Sequence, residues 1–244
     1  MNAIQLAGAE DEARLQLCRL AAASYRTAGR FAYHFAEFKL KVDPLFTDIL
    51  LGGALGNCHD LVDLGCGQGL LAAWLDAARH AYDQGAWPAA WPAPPTLRRY
   101  RGVDLRSASI RRAKAALGHR GEFQVLDIRH ADMSGAGAVA ILDVIHYIDF
   151  DEQERLLHKI REALPAGGSL VMRVANAGAG FSFKLAQWID DINDLVRDGR
   201  RSTFFCRSVQ DWLALLKDCG FDARAQDRSV GSSFSNTVLI ARAA

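Results

Sequence analysis

The sequence predicts an α/β fold: a doubly wound, mostly parallel, seven-stranded sheet that closes with an antiparallel hairpin and carries an N-terminal helical cap. Three observations predict it. Short apolar runs alternate with helical periodicity from Leu61 to Val174, which implies parallel strands joined by helices on both faces of the sheet. The first of these runs passes straight into a glycine-rich turn, Asp63-Leu-Gly-Cys-Gly-Gln-Gly69. The last two, Phe221 to Val230 and Asn236 to Ala241, are joined so closely through Gly231, Ser232 and Ser233 that they must pair antiparallel.

Taken in order, residues 15 to 51 are helical and rich in aromatics (Tyr25, Phe31, Tyr33, Phe35, Phe38, Phe46), with a break at Asp43-Pro44 where proline opens a new helix. This is the cap, residues 1–55; the sheet domain is 56–244. Strands are expected at Leu61–Leu64, Tyr100–Asp104, Glu122–Leu126, Ala138–Leu142 and Ser169–Val174, followed by the closing pair. Helices are expected at Leu70–His80 and at Ser107–Leu117, the latter ended by Gly118. Asp151 with Glu154 reads as a capping box for a helix whose stripe is Leu156, Leu157, Ile160 and Leu164, and Pro165-Ala-Gly-Gly stops it. Ser208 with Asp211 opens another, with Trp212, Leu215, Leu216 and Cys219 turned inward and Gly220 beyond its end. Gly85 to Thr96 fits no element: it holds Trp87, Trp91 and four of the six prolines, so it is read as an exposed insertion, bounded at 81–98.

Bulk properties narrow the class. At 244 residues, half of them hydrophobic, the chain can bury a full α/β core. A net charge of +1 lacks the basic excess of a nucleic-acid binder, and Arg98, Arg99, Arg101, Arg111 and Arg112 are read as a solvated face, so no nucleic acid is expected as partner. Five scattered cysteines without a C-x-x-C spacing suit a reducing compartment and no zinc site. Glu10, Asp11 and Glu12 oppose a signal peptide, and no run approaches the roughly 20 apolar residues of a membrane span. A cytoplasmic protein without membrane contact is expected; the oligomeric state is left open.

The glycine turn admits two cofactor classes. Gly67-x-Gly69-x-x-Ala72 satisfies a dinucleotide fingerprint if alanine stands for the third glycine. Against NAD stands Asp63, a carboxylate at the strand end that would repel a pyrophosphate but could hold the loop through its backbone N–H groups and attract an ammonium. The acid expected about 20 residues on comes only at Asp104, after the insertion. The closing hairpin, too, is foreign to a purely parallel dinucleotide domain.

The succession Asp63-Leu-Gly-Cys-Gly-Gln-Gly, Gly102-Val-Asp104, Leu126-Asp127-Ile128, Leu142-Asp143-Val-Ile-His146-Tyr147, Leu164-Pro-Ala-Gly-Gly168 and a closing hairpin resembles the class I S-adenosylmethionine (SAM)-dependent methyltransferases, over roughly Asp60 to Ala244. The resemblance implies a class I methyltransferase fold with SAM as cofactor. Asp63, Gly65, Cys66, Gly67 and Gly69 would then hold the methionine part, Asp104 and Leu105 the ribose, Asp127 and Ile128 the adenine, and Asp143 would stand beside the sulfonium. Asp104 and Asp127 are also placed simply to cap helices.

Methyl transfer needs an aligned acceptor, a dry site and, for a protonated acceptor, a base. His146, with a pKa ordinarily near neutral, is the candidate base after the fourth strand, the alternative being a histidine hydrogen-bonded within its loop, and Tyr147 is a wall of the pocket. Tyr25, Arg30, Tyr33, His34 and Lys39 of the cap could close over the cofactor, Arg30 or Lys39 meeting its carboxylate, but an amphipathic cap with solvated charges is the favoured reading; Arg173, Asn176, Phe234 and Asn236 are placed to touch the acceptor. The cap is expected to move as a lid. Leu-Asp-Val-Ile-His stands where base-amino methyltransferases carry Asn-Pro-Pro-Tyr, and no Asp-Asn pair follows the fifth strand to hold magnesium. A metal-independent enzyme acting on a small molecule is the expectation. The segments Phe38–Phe46 and Gly231–Ile240 resemble methyltransferases of aryl-polyene and fatty-acid-like pathways, which implies an aromatic or acyl acceptor. An NAD-dependent oxidoreductase and a non-catalytic SAM-binding protein are the alternatives.

Overall fold

A computed structural model of the chain describes residues 3–56, 58–175, 204–226 and 236–244. Seven strands form one sheet in the order β3-β2-β1-β4-β5-β7-β6. β1 (Asp60–Leu64), β2 (Arg99–Asp104), β3 (Glu122–Val125), β4 (Ala138–Leu142) and β5 (Ser169–Ala175) are parallel; β7 (Asn236–Ala243) runs antiparallel between β5 and β6 (Phe221–Gln226). The antiparallel pair predicted from the short connection is therefore present. The stretch read as the end of the sixth strand and the turn, 227–235, lies outside the described residues.

Alternation along the strands divides the apolar side chains between two cores. Leu61, Ala138, Ala140 and Val171 face one side, with α4 (Leu70–Asp83) and α5 (Ser107–Leu117); Val62, Leu64, Val139, Ile141 and Met172 face the other, with α6 (Phe150–Ala163) and α7 (Val209–Asp218). Trp74 fills the first core and Trp212 the second. The strand order reverses between β1 and β4, which opens a crevice at their carboxyl ends, the place where open α/β sheets bind ligands.

The cap consists of α1 (Ala3–Ala23), a 3-10 turn at Ser24–Ala28, α2 (Arg30–Val42) and α3 (Leu45–Leu51). It is seated in the first core: Leu17, Ala22, Tyr25, Ala36, Leu40 and Ile49 are buried together with Trp74 and Leu117. Polar ties fix it further. The Tyr25 hydroxyl donates to the Gln68 carbonyl (2.9 Å), Gln68 Nε2 to the Ala32 carbonyl (3.2 Å) and the Thr27 hydroxyl to the Ala115 carbonyl (2.8 Å). These bonds, the first two of them buried, would have to break for the cap to swing as a lid.

Two local expectations are corrected. The cap of α6 is Asp149, which accepts the Glu152 amide (2.8 Å), because the helix begins at Phe150, ahead of Asp151. The insertion is not wholly exposed: Trp91 is buried, Tyr82, Trp87 and Trp91 pack edge to face, and the Trp87 indole donates to the Pro92 carbonyl, so prolines bend the chain back over the end of α4. The Ser208–Asp211 capping box is present as read.

Candidate active site

The glycine loop follows β1 and is shaped by its neighbours in different ways at each glycine. Gly65 (φ +84°) has no room for a side chain, since a Cβ would come within 2.6 Å of Val144. Gly69 (φ +80°) begins α4 against Leu117 and Phe123. Gly67 (φ +55°) needs its positive φ too, but none of the described residues lies within 4 Å of where its Cβ would be. A ligand backbone-close to the loop therefore has room at Gly67.

The carboxylate that ties down the loop is Asp104, not Asp63. Asp104 Oδ2 accepts the Gly67 amide (2.9 Å) and Oδ1 the Arg106 amide (2.8 Å), which holds the end of β2 against the loop and tightens the turn that leads to α5. The Gly65 and Cys66 amides donate to the Val103 carbonyl instead (2.8 and 2.9 Å). Asp63 is buried on the cap side of the sheet, where one oxygen accepts the Tyr100 hydroxyl and the other has no partner among the described residues. Burial pushes its carboxyl up to about 7, against the Tyr100 bond and with Asp104 adding to the rise. Cys66 turns its thiol under Gly102 and spends its amide and carbonyl inside the loop, on Val103 and Gly69, so its contribution is to packing.

Leu105 is 57 % exposed beside this loop. Asp127 caps the 3-10 turn that contains buried Ile128, accepting the Arg129 amide (2.9 Å) and pairing with the Arg129 guanidinium (2.6 Å), whose bonds hold its carboxyl below the usual carboxylate range. The capping role foreseen for Asp127 is thus real, whereas α5 has Arg106 at its N-cap with no side-chain cap, and Asp104 ties the turn before it instead. Either task leaves further lone pairs on each oxygen for a ligand.

At the end of β4 the chain turns through Asp143, the one described non-glycine residue with positive φ (+62°). Val144, behind Gly65, then leads into the 3-10 turn Ile145–Tyr147, so the loop bearing His146 is packed directly on the glycine loop. His146 is 6 % exposed, and neither ring nitrogen has a hydrogen-bond partner among the described residues. Burial lowers its pKa, with the Asp143 charge opposing, and so keeps the imidazole neutral near pH 7. The Tyr147 and Phe204 rings flank it, at centroid distances of 4.4 and 5.8 Å. Phe204 was legible only as half of an aromatic pair before Ser208.

Arg173 and Lys39 are placed otherwise than the sequence suggested. Arg173 is buried and grips Asp143 with Nε (2.7 Å) and Nη2, while Nη1 reaches Asp43 (2.6 Å). Lys39 also pairs with Asp43 (2.8 Å) rather than pointing at a ligand. Arg30 and His34 are exposed, His34 near Glu37. Asn176, Phe234 and the side chain of Asn236 lie outside the described residues. Among the described residues no three His, Cys, Asp or Glu side chains gather as a metal ion requires. A cavity of about 420 Å³ lies at the opposite, amino-terminal edge of the strands, lined by Cys58, His59, Asp60, Ser169 and Arg242, apart from all these groups.

Residues 62–172 match the methyltransferase domain family. With the sheet order and its antiparallel seventh strand, this match gives the chain the class I methyltransferase fold. The match ends within β5 and spans the glycine loop, Asp104, Asp127 and His146. No curated protein matches the chain in sequence. Among solved structures it is similar to an O-methyltransferase family protein from Burkholderia thailandensis (19 % identity, TM-score 0.56, 89 % of this chain and 61 % of that one). It is similar also to magnesium protoporphyrin IX methyltransferase from Synechocystis with bound S-adenosylhomocysteine (16 %, 0.54, 88 % and 89 %). A third is the N-methyltransferase NodS from Bradyrhizobium japonicum in complex with S-adenosylhomocysteine (14 %, 0.51, 82 % and 84 %). At such identities these share the fold; the chain spans under two thirds of the Burkholderia protein's length.

The residues present fit SAM. Open space at Gly67, the unpartnered buried oxygen of Asp63 and the acids ending β2 and following β3 suit an amino-acid nucleoside better than a pyrophosphate. Among the described residues no helix is long and apolar enough to cross a membrane.

Proposed function

We propose that the protein is a metal-independent enzyme that transfers the methyl group of SAM to a small-molecule acceptor, aromatic or acyl in character. One observation carries the reading: the His146 loop is packed through Val144 onto Gly65, so a neutral imidazole without a hydrogen-bond partner among the described residues shares one crevice with the glycine loop. SAM, when bound, supplies the activated methyl. Gly67 lets the backbone approach the ligand, Asp104 is oriented by two amides to accept ribose hydroxyls, and Asp127 with Ile128 would receive the adenine. His146 would take a proton from the acceptor at a ring nitrogen while Tyr147 and Phe204 exclude water. The division into cap (1–55) and SAM-binding domain (56–244) belongs to the same proposal, as does a cytoplasmic location, which the five free cysteines support.

Titration calorimetry with S-adenosylhomocysteine tests the cofactor half. Asp104→Ala should bind roughly tenfold more weakly or worse, as loss of a charged acceptor implies. Tighter binding of NAD than of S-adenosylhomocysteine would overturn the family reading. His146→Ala should lower kcat by about 10²–10⁴-fold for a phenol or other protonated acceptor, with cofactor affinity kept, and only by a few fold for an acceptor already ionised. Binding without turnover of any acceptor would favour the non-catalytic alternative.

A further inference from the structure

Between the cap and the strand ends runs a chain of four charges, Lys39, Asp43, Arg173 and Asp143, the last three of them buried. Its two ends do different jobs. Asp143 holds a left-handed backbone turn at the exit of β4, and Arg173 braces that turn twice: its carbonyl accepts the Asp143 amide (3.1 Å) and its guanidinium forks onto the carboxylate. The next residues, Val144 to Tyr147, press on Gly65 and carry His146. At the other end Asp43 joins two cap helices. Its amide closes α2 on the Lys39 carbonyl (3.0 Å), Oδ1 accepts the Leu45 amide that opens α3 (3.0 Å), and Oδ2 takes Lys39 and Arg173. All three donors on Asp43 come from groups that must be in place together.

A guanidinium is suited to this because its planar donors bind two carboxylates at fixed angles, which one ammonium cannot reproduce. An apolar side chain would fill the space without specifying the turn. Charge neutrality along the chain removes the need for solvent, so the bridge can be buried. The geometry points to Arg173 as a positioning residue: it couples seating of the cap to the register of the His146 loop against the glycine loop. As a statement about methyl transfer this rests on the function proposed above; as a statement about coupling it does not.

Amide hydrogen exchange on the whole chain tests it, with Asp43→Asn and Arg173→Lys. Asp43→Asn cuts only the cap branch and leaves the Arg173–Asp143 fork intact. Coupling requires exchange at Tyr147 and Ile148, whose amides close the His146 turn, to accelerate roughly tenfold or more together with Leu45, while Leu61 and Val62 in β1 keep their protection. Faster exchange at Leu45 alone would overturn the proposal, because the cap could then loosen without the loop. A uniform acceleration that includes β1 would overturn it as well, reducing the chain to a stabilising contact. Arg173→Lys, which keeps a charge but loses the fork, should loosen both ends; retained protection at Tyr147 would overturn the requirement for a fork. Calorimetry with S-adenosylhomocysteine on the same samples separates the two claims: a wild type that binds none refutes the proposed function, whereas the exchange pattern still decides the coupling.

Discussion

The two sides of the crevice are built by opposite means. On the glycine-loop side the amides of Gly65, Cys66 and Gly67 are held by β2, through the Val103 carbonyl and the Asp104 carboxylate, from fewer than 40 residues away. On the β4 side the decisive contacts cross 30 residues (Arg173 to Asp143) and 130 residues (Arg173 to Asp43), and they are ionic and buried. Backbone bonds to glycines specify a shape that many sequences can adopt, whereas a buried charge chain specifies one arrangement and penalises every other. The first suits a constant ligand; the second suits a loop that must be set against it.

Severing the ionic side should have the largest effect. Arg173→Met leaves two buried carboxylates without their shared cation, and urea unfolding should show about 3–5 kcal/mol of lost stability. A loss within about 1 kcal/mol would mean that the contrast between the two sides is mistaken. The acid limb sharpens it. Burial would raise the Asp43 carboxyl, but Arg173 and Lys39 outweigh it and hold it at about 2. With an unfolded value near 3.9, its contribution is complete above about pH 4 and is lost as pH falls through about 2, a dependence that Asp43→Asn should lack.

The next effect is opposite in sign and lies beneath the glycine loop. Asp63 is held at about 7, above its unfolded value, so the protonated form suits the apo fold and stability falls as pH rises from about 4 to about 7. Asp63→Asn should therefore gain on wild type by up to about 4 kcal/mol between pH 4 and pH 8 in urea titrations without ligand. Its affinity for S-adenosylhomocysteine should fall if the carboxylate meets the ammonium. A pH-independent difference in stability would show that Asp63 is not strained by its burial.

The smallest effect on the fold belongs to Gly67→Ala. Only the left-handed φ opposes it, at about 1 kcal/mol, because space is open around its α-carbon. Cofactor affinity should nonetheless drop by roughly tenfold or more, since the methyl enters the room reserved for the ligand. If thermal denaturation shows a large loss and calorimetry none, Gly67 is structural and the open space is incidental.

Much of this was legible before any coordinates. Asp63 to Gly69, Asp104, Asp127 and Asp143 to Tyr147 were each found at a strand end, because period-two apolar runs mark strands and the residues after them must lie at the carboxyl edge of the sheet. Which acid does which task was not legible. Asp63 and Asp104 differ by the face onto which a strand end turns its carboxylate, and a sequence does not record that Tyr100 waits on one side and the Gly67 amide on the other. Asp43 looked like punctuation before Pro44, since its helix-capping job is local and its ionic job is not.

The sequence by itself determined the strand order's raw material, the glycine turn, the acids after the strands and the closing hairpin, all of which follow from short-range rules of periodicity, sterics and capping. Only the tertiary structure decided that the cap is seated in the core rather than laid over it, that Arg173 belongs to two carboxylates rather than to a ligand, and that His146 is buried and neutral, with no hydrogen-bond partner among the described residues, on the loop packed against the glycine loop. The reason is that burial and charge pairing are properties of neighbours brought together by packing. Residues 43, 143 and 173 acquire their roles only when the sheet closes and the cap docks on it.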